Sequence, residues 1–531
     1  MNKKQTGCKY KGCPHPVYTD GWCIFHLPKL TDNEKRELST EEKVGYNKLE
    51  EKFREEFFTF IKKIEGELKV EVFNFKGFHF VEIDLSNDNI LKKLGEFEFN
   101  KRVDFYGAKF IGKVNFQKIC FKGITNFREA SFYDNASFED TVFNGKADFF
   151  SATFKESSFV GANFKEIVQF SLSKFNGEAN FVGVTYKGKA IYEKASFNDA
   201  FFSLSSFEKE ADFEEAIFKT DAHFYNVKFE KANFFKTIFN GKANFYEADF
   251  KEANFVAATF EGTTIFRGSE GSDLFKENFD FIGIYYDPLA SIIFEKVNLK
   301  KASFLDTNIE NFIFRDVKWC GSVPLYKWFN WLRIRKTALW DEIRDDVKID
   351  YSKLSENYHQ LVLNYDRKRD FDKALEFRIG EMEVKRNSKI TSDKKFIRFF
   401  QHVFNAHALY KLLSSYGTSY WQAFIWLILF LLIFSGIFML SGFETLTPAG
   451  TTETVVSYNI SLNPSNWVSF GNCLSDLGKS ILFTLSVLTL QKARFFAPLG
   501  GWSQFWLCIA TIVFYSQIAI TLLAIRRRFK Q

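Results

Sequence analysis

Large apolar side chains recur through the first three-fifths of the chain at steps of five and six residues. Phe105, Phe116, Phe127, Phe138 and Phe149 form one eleven-residue series, and Phe110, Phe121, Phe132, Phe143 and Phe154 form its partner. Such steps cannot stripe one face of an α-helix, whose period is about 3.6 residues. Two residues before many of these rings sits a small or β-branched residue, as at Ala108, Val114, Thr125, Ala130, Ala147, Ala162, Ala211 and Ala243. One inward slot is therefore wide and the other narrow. After an interruption around Gly268 to Ser291, a strict five-residue cadence returns at Phe294, Leu299, Phe304, Ile309, Phe314 and Trp319. The pattern predicts a solenoid whose short segments turn corners and stack ring on ring, coil to coil, at about 4.8 Å. Its two open ends would need caps.

The flanking segments have other periods. Thr31 to Glu65, punctuated by Leu38, Val44, Leu49, Phe53, Phe57 and Phe60, reads as an amphipathic helix, and Phe57, Phe58 and Phe60 are placed to cover the first coil. From Lys327 to Tyr410 the pattern is helical. Tyr358, Leu361, Tyr365 and Ala374 fall on tetratricopeptide spacing, but one such unit cannot bury its own face, so a two-helix hairpin is expected.

Trp421 to Leu440 and Trp506 to Ile525 are apolar runs long enough to cross a bilayer. His407, Lys411 and the basic group from Lys385 to Arg398 precede the first, and Arg526, Arg527, Arg528 and Lys530 follow the second. The loop between them holds only Lys479, Lys492 and Arg494 as Lys or Arg, so both termini are expected in the cytoplasm. Within that loop Leu477 to Leu490 is apolar but too short to span, which suits a re-entrant half-helix.

Composition narrows the function classes. The 531 residues exceed what one core organises, and 69 of them are Phe, the residue that the periodic block consumes. A net charge of +6 from 71 basic and 65 acidic residues is too mixed to indicate nucleic-acid binding. Seven cysteines are too few for a disulfide scaffold, and no charged, then apolar, leader opens the chain, which fits a reducing cytoplasm for the N-terminus. No cluster with catalytic spacing is present in the repeats, and no enzyme is expected; His223 reads as an outward surface residue.

Cys8, Cys13, Cys23 and His26 read C-x4-C-x9-C-x2-H, with Gly12, Pro14, Pro16 and Gly21 turning the chain between them. Four such ligands on a segment with little core suit a closed structural zinc site, with His15 as an alternative ligand. The competing reading is three reduced cysteines on a partly ordered tail.

The units Ala147-Asp148-Phe149, Ala162-Asn163-Phe164, Ala211-Asp212-Phe213, Ala243-Asn244-Phe245 and Ala253-Asn254-Phe255 resemble the pentapeptide-repeat family. The resemblance, from about Val70 to Trp319, implies a right-handed quadrilateral β-helix, with the six-residue steps bulging alternate corners. Some members of that family imitate duplex DNA, which needs a strongly negative surface. Lys101 to Glu270 holds 22 Lys+Arg and 23 Asp+Glu, a net of −1, so a spacer or docking surface for a protein or ligand is favoured.

The order of span, half-helix, strand and span from Tyr420 to Lys530 resembles the two-transmembrane ion-channel family, usually a fourfold homo-oligomer. Phe483 to Thr489 looks like its pore helix, and Ala497-Pro498-Leu499-Gly500-Gly501-Trp502 like the turn into its inner helix. The filter position departs from that family. Thr489-Leu490-Gln491-Lys492-Ala493-Arg494 has no glycine and two cations, so potassium selectivity is not expected, and conduction would be nonselective or anion-favouring. The competing reading is that Lys492 and Arg494 snorkel to the outer headgroups and nothing conducts. Thr511, Tyr515, Ser516 and Gln517 are the polar positions of the second span, suited to a pore or a helix contact.

The sequence thus divides into a zinc-binding cap (1–30), an amphipathic helix (31–69), a β-helix (70–320), a helical connector (321–418) and a two-span, pore-like module (419–531). The function expected is a gated ion channel in a bacterial inner membrane, controlled by the cytoplasmic solenoid. The alternative is a non-conducting, membrane-anchored scaffold.

Overall fold

A computed structural model of the chain describes residues 8–66, 71–85, 98–269, 274–321, 337–344, 350–388, 406–447, 451–458, 470–489 and 495–529. They form two compact units, Met1–Ile349 and Asp350–Gln531.

The first unit is a parallel β-solenoid of about ten turns. Between Glu98 and Arg267 successive coils pair in parallel at an offset of 21 or 22 residues, Ser131 lying opposite Thr153 and Asn135 opposite Glu156. Each eleven-residue series therefore returns to the same place only every second member, and the rings sort into four columns. One column runs Phe105, Phe127, Phe149, Phe170, with ring centroids 4.7–4.8 Å apart. The others run through Phe110–Phe132, Phe116–Phe138 and Phe121–Phe143, at 4.5, 5.0 and 5.1 Å. The ring spacing equals the strand spacing, so one geometry satisfies backbone ladder and core together.

The six-residue steps are absorbed as breaks in register, between Phe132 and Asn135, Phe154 and Ser157, Phe175 and Glu178, and Phe207 and Glu210.

Two of the four columns turn through left-handed residues. Glu129, Ser151, Leu172 and Lys194, each two residues after a ring, have φ of 58°, 57°, 59° and 54°. The next N–H closes the turn, as Ala130 does on the Phe127 carbonyl at 3.1 Å. The Asx of the repeated unit supports the same corner. The Oδ1 atoms of Asp148 and Asn233 accept from the backbone N–H of Phe150 and Phe235 at 3.1 and 3.2 Å, which is why a short polar acceptor precedes the ring. The buried hydroxyls of Thr141 and Thr237 donate to the Phe116 and Phe213 carbonyls at 2.8 and 2.7 Å.

Both ends are covered. The expected single helix from Thr31 to Glu65 is broken in two, Asp32–Arg36 and Thr40–Gly66. Two capping boxes in succession explain the break: Thr31 pairs with Glu34, and Ser39 with Glu42. The long helix lays Phe57 on Phe75 and Phe80, each at 5.3 Å, and Phe60 on Phe75 at 6.1 Å. At the far end the short helix Trp340–Ile343 brings buried Asp341 to the Ser303 hydroxyl (2.6 Å) and the Phe304 N–H (3.2 Å).

The second unit is helical. Tyr351–Arg367 and Phe371–Ser388 form the hairpin, closed by Tyr358, Tyr365 and Phe377, with ring centroids 6.3 Å (Tyr358–Phe377) and 5.4 Å (Tyr365–Phe377) apart. The helices Tyr420–Ser441 and Gly500–Arg528 are long and apolar enough to cross a membrane. Between them in sequence, helix Phe470–Leu488 packs on both. It begins seven residues before Leu477, because Phe470 to Lys479 is too polar to show in an apolar pattern. A three-stranded antiparallel sheet, with Phe443–Leu446 between Thr452–Val456 and Phe496–Pro498, joins the end of the first apolar helix to the start of the second.

Candidate metal centre and helical bundle

Cys8, Cys13, Cys23 and His26 converge, their ligand atoms all within 4.8 Å of one another. Cys13 Sγ lies 3.7 Å from Cys23 Sγ, and His26 Nδ1 lies 3.1 Å from Cys23 Sγ and 3.8 Å from Cys8 Sγ. Four donors about 2.0–2.3 Å from a shared tetrahedral centre would stand roughly 3.5–3.8 Å apart, so the set fits a metal ion. The second nitrogen of His26, Nε2, meets the Lys76 carbonyl at 2.9 Å, which fixes the ring with Nδ1 toward the thiols. Beside it the His79 N–H donates to the Phe25 carbonyl at 2.7 Å, so the cluster is fastened to the first coil. His15 lies elsewhere, its ring edge-on to Phe25 and Phe60 at 4.7 and 4.9 Å.

Burial pushes the Cys23 thiol up to about 12 and raises that of Cys13 as well. Burial acts on Cys8 in the same sense, but hydrogen bonds led by the Cys23 N–H outweigh it and leave that thiol lowered. Burial lowers His26, keeping it neutral and able to ligate. A bound cation would replace the protons that burial retains.

In the bundle, the sequence-selected polar positions fall in different places. Gln517 is 1% exposed and donates Nε2–H to the Ala423 carbonyl of the first apolar helix at 2.7 Å. Thr511 donates to its own helix at Leu507, 2.8 Å away, Tyr515 is half-buried, and Ser516 is exposed. Thr489 closes the last turn of the middle helix on the Leu485 carbonyl at 2.9 Å. Gln491, Lys492 and Arg494 lie outside the described residues. Just beyond them Phe496–Pro498 pairs antiparallel with Phe443–Thr445, so that strand's backbone is committed to a sheet.

Sequence reasoning missed two contacts that organise this unit. Ser480 donates to the Ser435 carbonyl at 2.7 Å, and the hydroxyls of Ser435 and Thr484 lie 3.0 Å apart, seating the middle helix on the first apolar one. A lone serine in an apolar run, and Ser480 with Thr484 at i and i+4, were the available signal. The second contact is the joint at Ser415, Tyr416 and Gly417, with φ of 48°, 59° and 74°. Tyr416 donates its hydroxyl to Glu383 at 2.9 Å, and its carbonyl accepts from Arg527 at 2.8 Å. Left-handed φ at a buried tyrosine has no signature in composition.

Residues 105–153 match the family model described as pentapeptide repeats (9 copies), and this stretch of the solenoid is a run of such repeats. No curated protein and no solved structure matches the chain.

Proposed function

We propose that the chain is a membrane protein in which a pentapeptide-repeat solenoid is carried on a two-span bundle that forms one subunit of an ion-conducting homo-oligomer. The observation that carries this reading is the middle helix Phe470–Leu488, seated against the first apolar helix through Ser435, Ser480 and Thr484 and packed also on the second. A helix packed on both apolar helices of a two-span subunit is placed as a pore helix would be. The second span leaves Phe505, Cys508, Ile512 and Ser516 exposed, a face that sister subunits would cover. Lys492 and Arg494 stand in the sequence where the resembled channels carry their filter, so conduction would be nonselective or anion-favouring. The Cys8, Cys13, Cys23 and His26 centre would hold zinc as a structural ion that locks the cap on the first coil.

Purified full-length protein in planar bilayers is expected to give discrete conductance steps. Silence in every ion tested, with a monomeric mass in detergent, would leave the second reading, an anchored scaffold that does not conduct. That reading is favoured by Gln517, whose amide N–H donates to Ala423 inside the bundle, and by Phe496–Pro498, whose backbone is held in a sheet.

A further inference from the structure

The last turns of the second apolar helix and the second helix of the hairpin enclose a groove of about 250 Å³. Apolar side chains, Phe371, Leu375 and Leu523 among them, line it together with the basic residues Arg378, Arg526 and Arg527. One carboxylate, Asp366, also lines it and faces Arg378 at 3.8 Å. Arg527 is pre-set for a ligand: its Nη1 donates to the Tyr410 hydroxyl at 3.0 Å and the Tyr416 carbonyl at 2.8 Å, which fixes the planar fork. Arg526 is exposed and has no ion pair among the described residues. The neighbouring Arg528 is neutralised by Asp372.

We propose that this groove binds the phosphate headgroup of an anionic membrane lipid. Three guanidiniums against one carboxylate select negative charge, and the planar fork matches phosphate oxygens. The apolar part of the lining distinguishes a lipid from a free anion, which has no use for it. Leu523 belongs to a helix whose Leu522 and Ile525 are 60% and 38% exposed, so the groove opens beside the surface that would meet acyl chains. The inference rests on the membrane reading above.

The test uses full-length protein reconstituted in vesicles of dioleoylphosphatidylcholine, alone or with dioleoylphosphatidylglycerol, and native mass spectrometry of lipid retained on the detergent-solubilised protein. The phosphatidylglycerol adduct is expected to survive where phosphatidylcholine is stripped, and Arg378→Gln or Arg526→Gln should each weaken it about fivefold while insertion is unchanged. Equal retention of the two lipids, an unaltered adduct in both variants, or displacement by inorganic phosphate at comparable concentration would overturn the site while leaving the membrane reading intact. Failure to insert into phosphatidylcholine vesicles would overturn the membrane reading, and the site with it.

Discussion

Tyr186 and Tyr192 meet hydroxyl to hydroxyl at 2.7 Å in the middle of the phenylalanine core, both fully buried. They belong to different columns. Tyr186 stacks between Phe164 and Phe207, and Tyr192 between Phe170 and Phe213. Each hydroxyl is the other's partner, and burial raises both far above the ordinary tyrosine range, so the pair stays neutral. Tyr186→Phe should therefore strand the Tyr192 hydroxyl and cost about 1–3 kcal/mol, while Tyr186→Phe with Tyr192→Phe should recover most of the loss. Thermal midpoints of the single and double variants check this, and additive losses would contradict it.

The corners offer a test of opposite sign. Leu204 turns the chain at φ 63° with 54% of its surface exposed, where Gly161 and Gly183 turn the coils before it at φ 68°. A Cβ in this conformation costs about 1–2 kcal/mol and the exposed leucine gains little packing in return. Leu204→Gly is expected to raise stability by up to about 1 kcal/mol, after the extra chain entropy of glycine. Gly183→Ala should lower it by about 1 kcal/mol through backbone strain alone, since nothing lies within 4 Å of an added Cβ. A raised midpoint for Leu204→Gly and a lowered one for Gly183→Ala, read by the same melt, is the expected pair of results.

The solenoid was legible because its core uses one ring type at a spacing that no helix shares. Its coil period was less so: Phe105 and Phe116 look equivalent along the chain, yet Phe105 stacks on Phe127 and Phe116 on Phe138. The left-handed corners were hidden, since Lys118, Glu129, Ser151 and Leu172 share a backbone conformation and no chemistry. The Cys8, Cys13, Cys23 and His26 set was readable from residue type, whereas the Lys76 carbonyl that orients His26 is a backbone group fifty residues away. In the bundle, the apolar runs marked both long helices. The polar start of the middle helix and the sheet around Phe443 depend on tertiary partners, Asp476 with Tyr458 at 2.6 Å and Phe443 opposite Val456, that no local pattern announces.

The candidate metal centre predicts a coupled loss. Protein purified without chelator should carry zinc in stoichiometric amount by elemental analysis, and Cys23→Ser or His26→Ala should abolish it. Because His26 holds the Lys76 carbonyl and Phe25 holds the His79 N–H, chelation should also speed amide exchange through Phe73 to Phe80, while exchange near Phe213 stays unchanged. Exchange at His79 that is indifferent to chelator would separate the cluster from the cap.

Glu383 supplies the pH dependence. Burial alone would raise its carboxyl, but Lys411 at 2.7 Å, Arg386 at 2.8 Å and the Tyr416 hydroxyl outweigh burial and hold it below the ordinary value of 4.5. An acid depressed in the folded state contributes stability that is complete above its unfolded value and is lost as pH falls through the folded one. Protection of the helix Ala406–Ser414 against amide exchange should therefore be level above about pH 5 and decline below the ordinary value, as the Tyr416 joint releases Lys411. Glu383→Gln leaves two cations without their carboxylate and should cost about 3 kcal/mol while flattening the acid limb. Tyr416→Phe removes a single hydrogen bond, should cost about 1 kcal/mol, and should keep the acid limb because the ion pairs persist. An acid limb that survives in Glu383→Gln would assign the titration to another carboxylate.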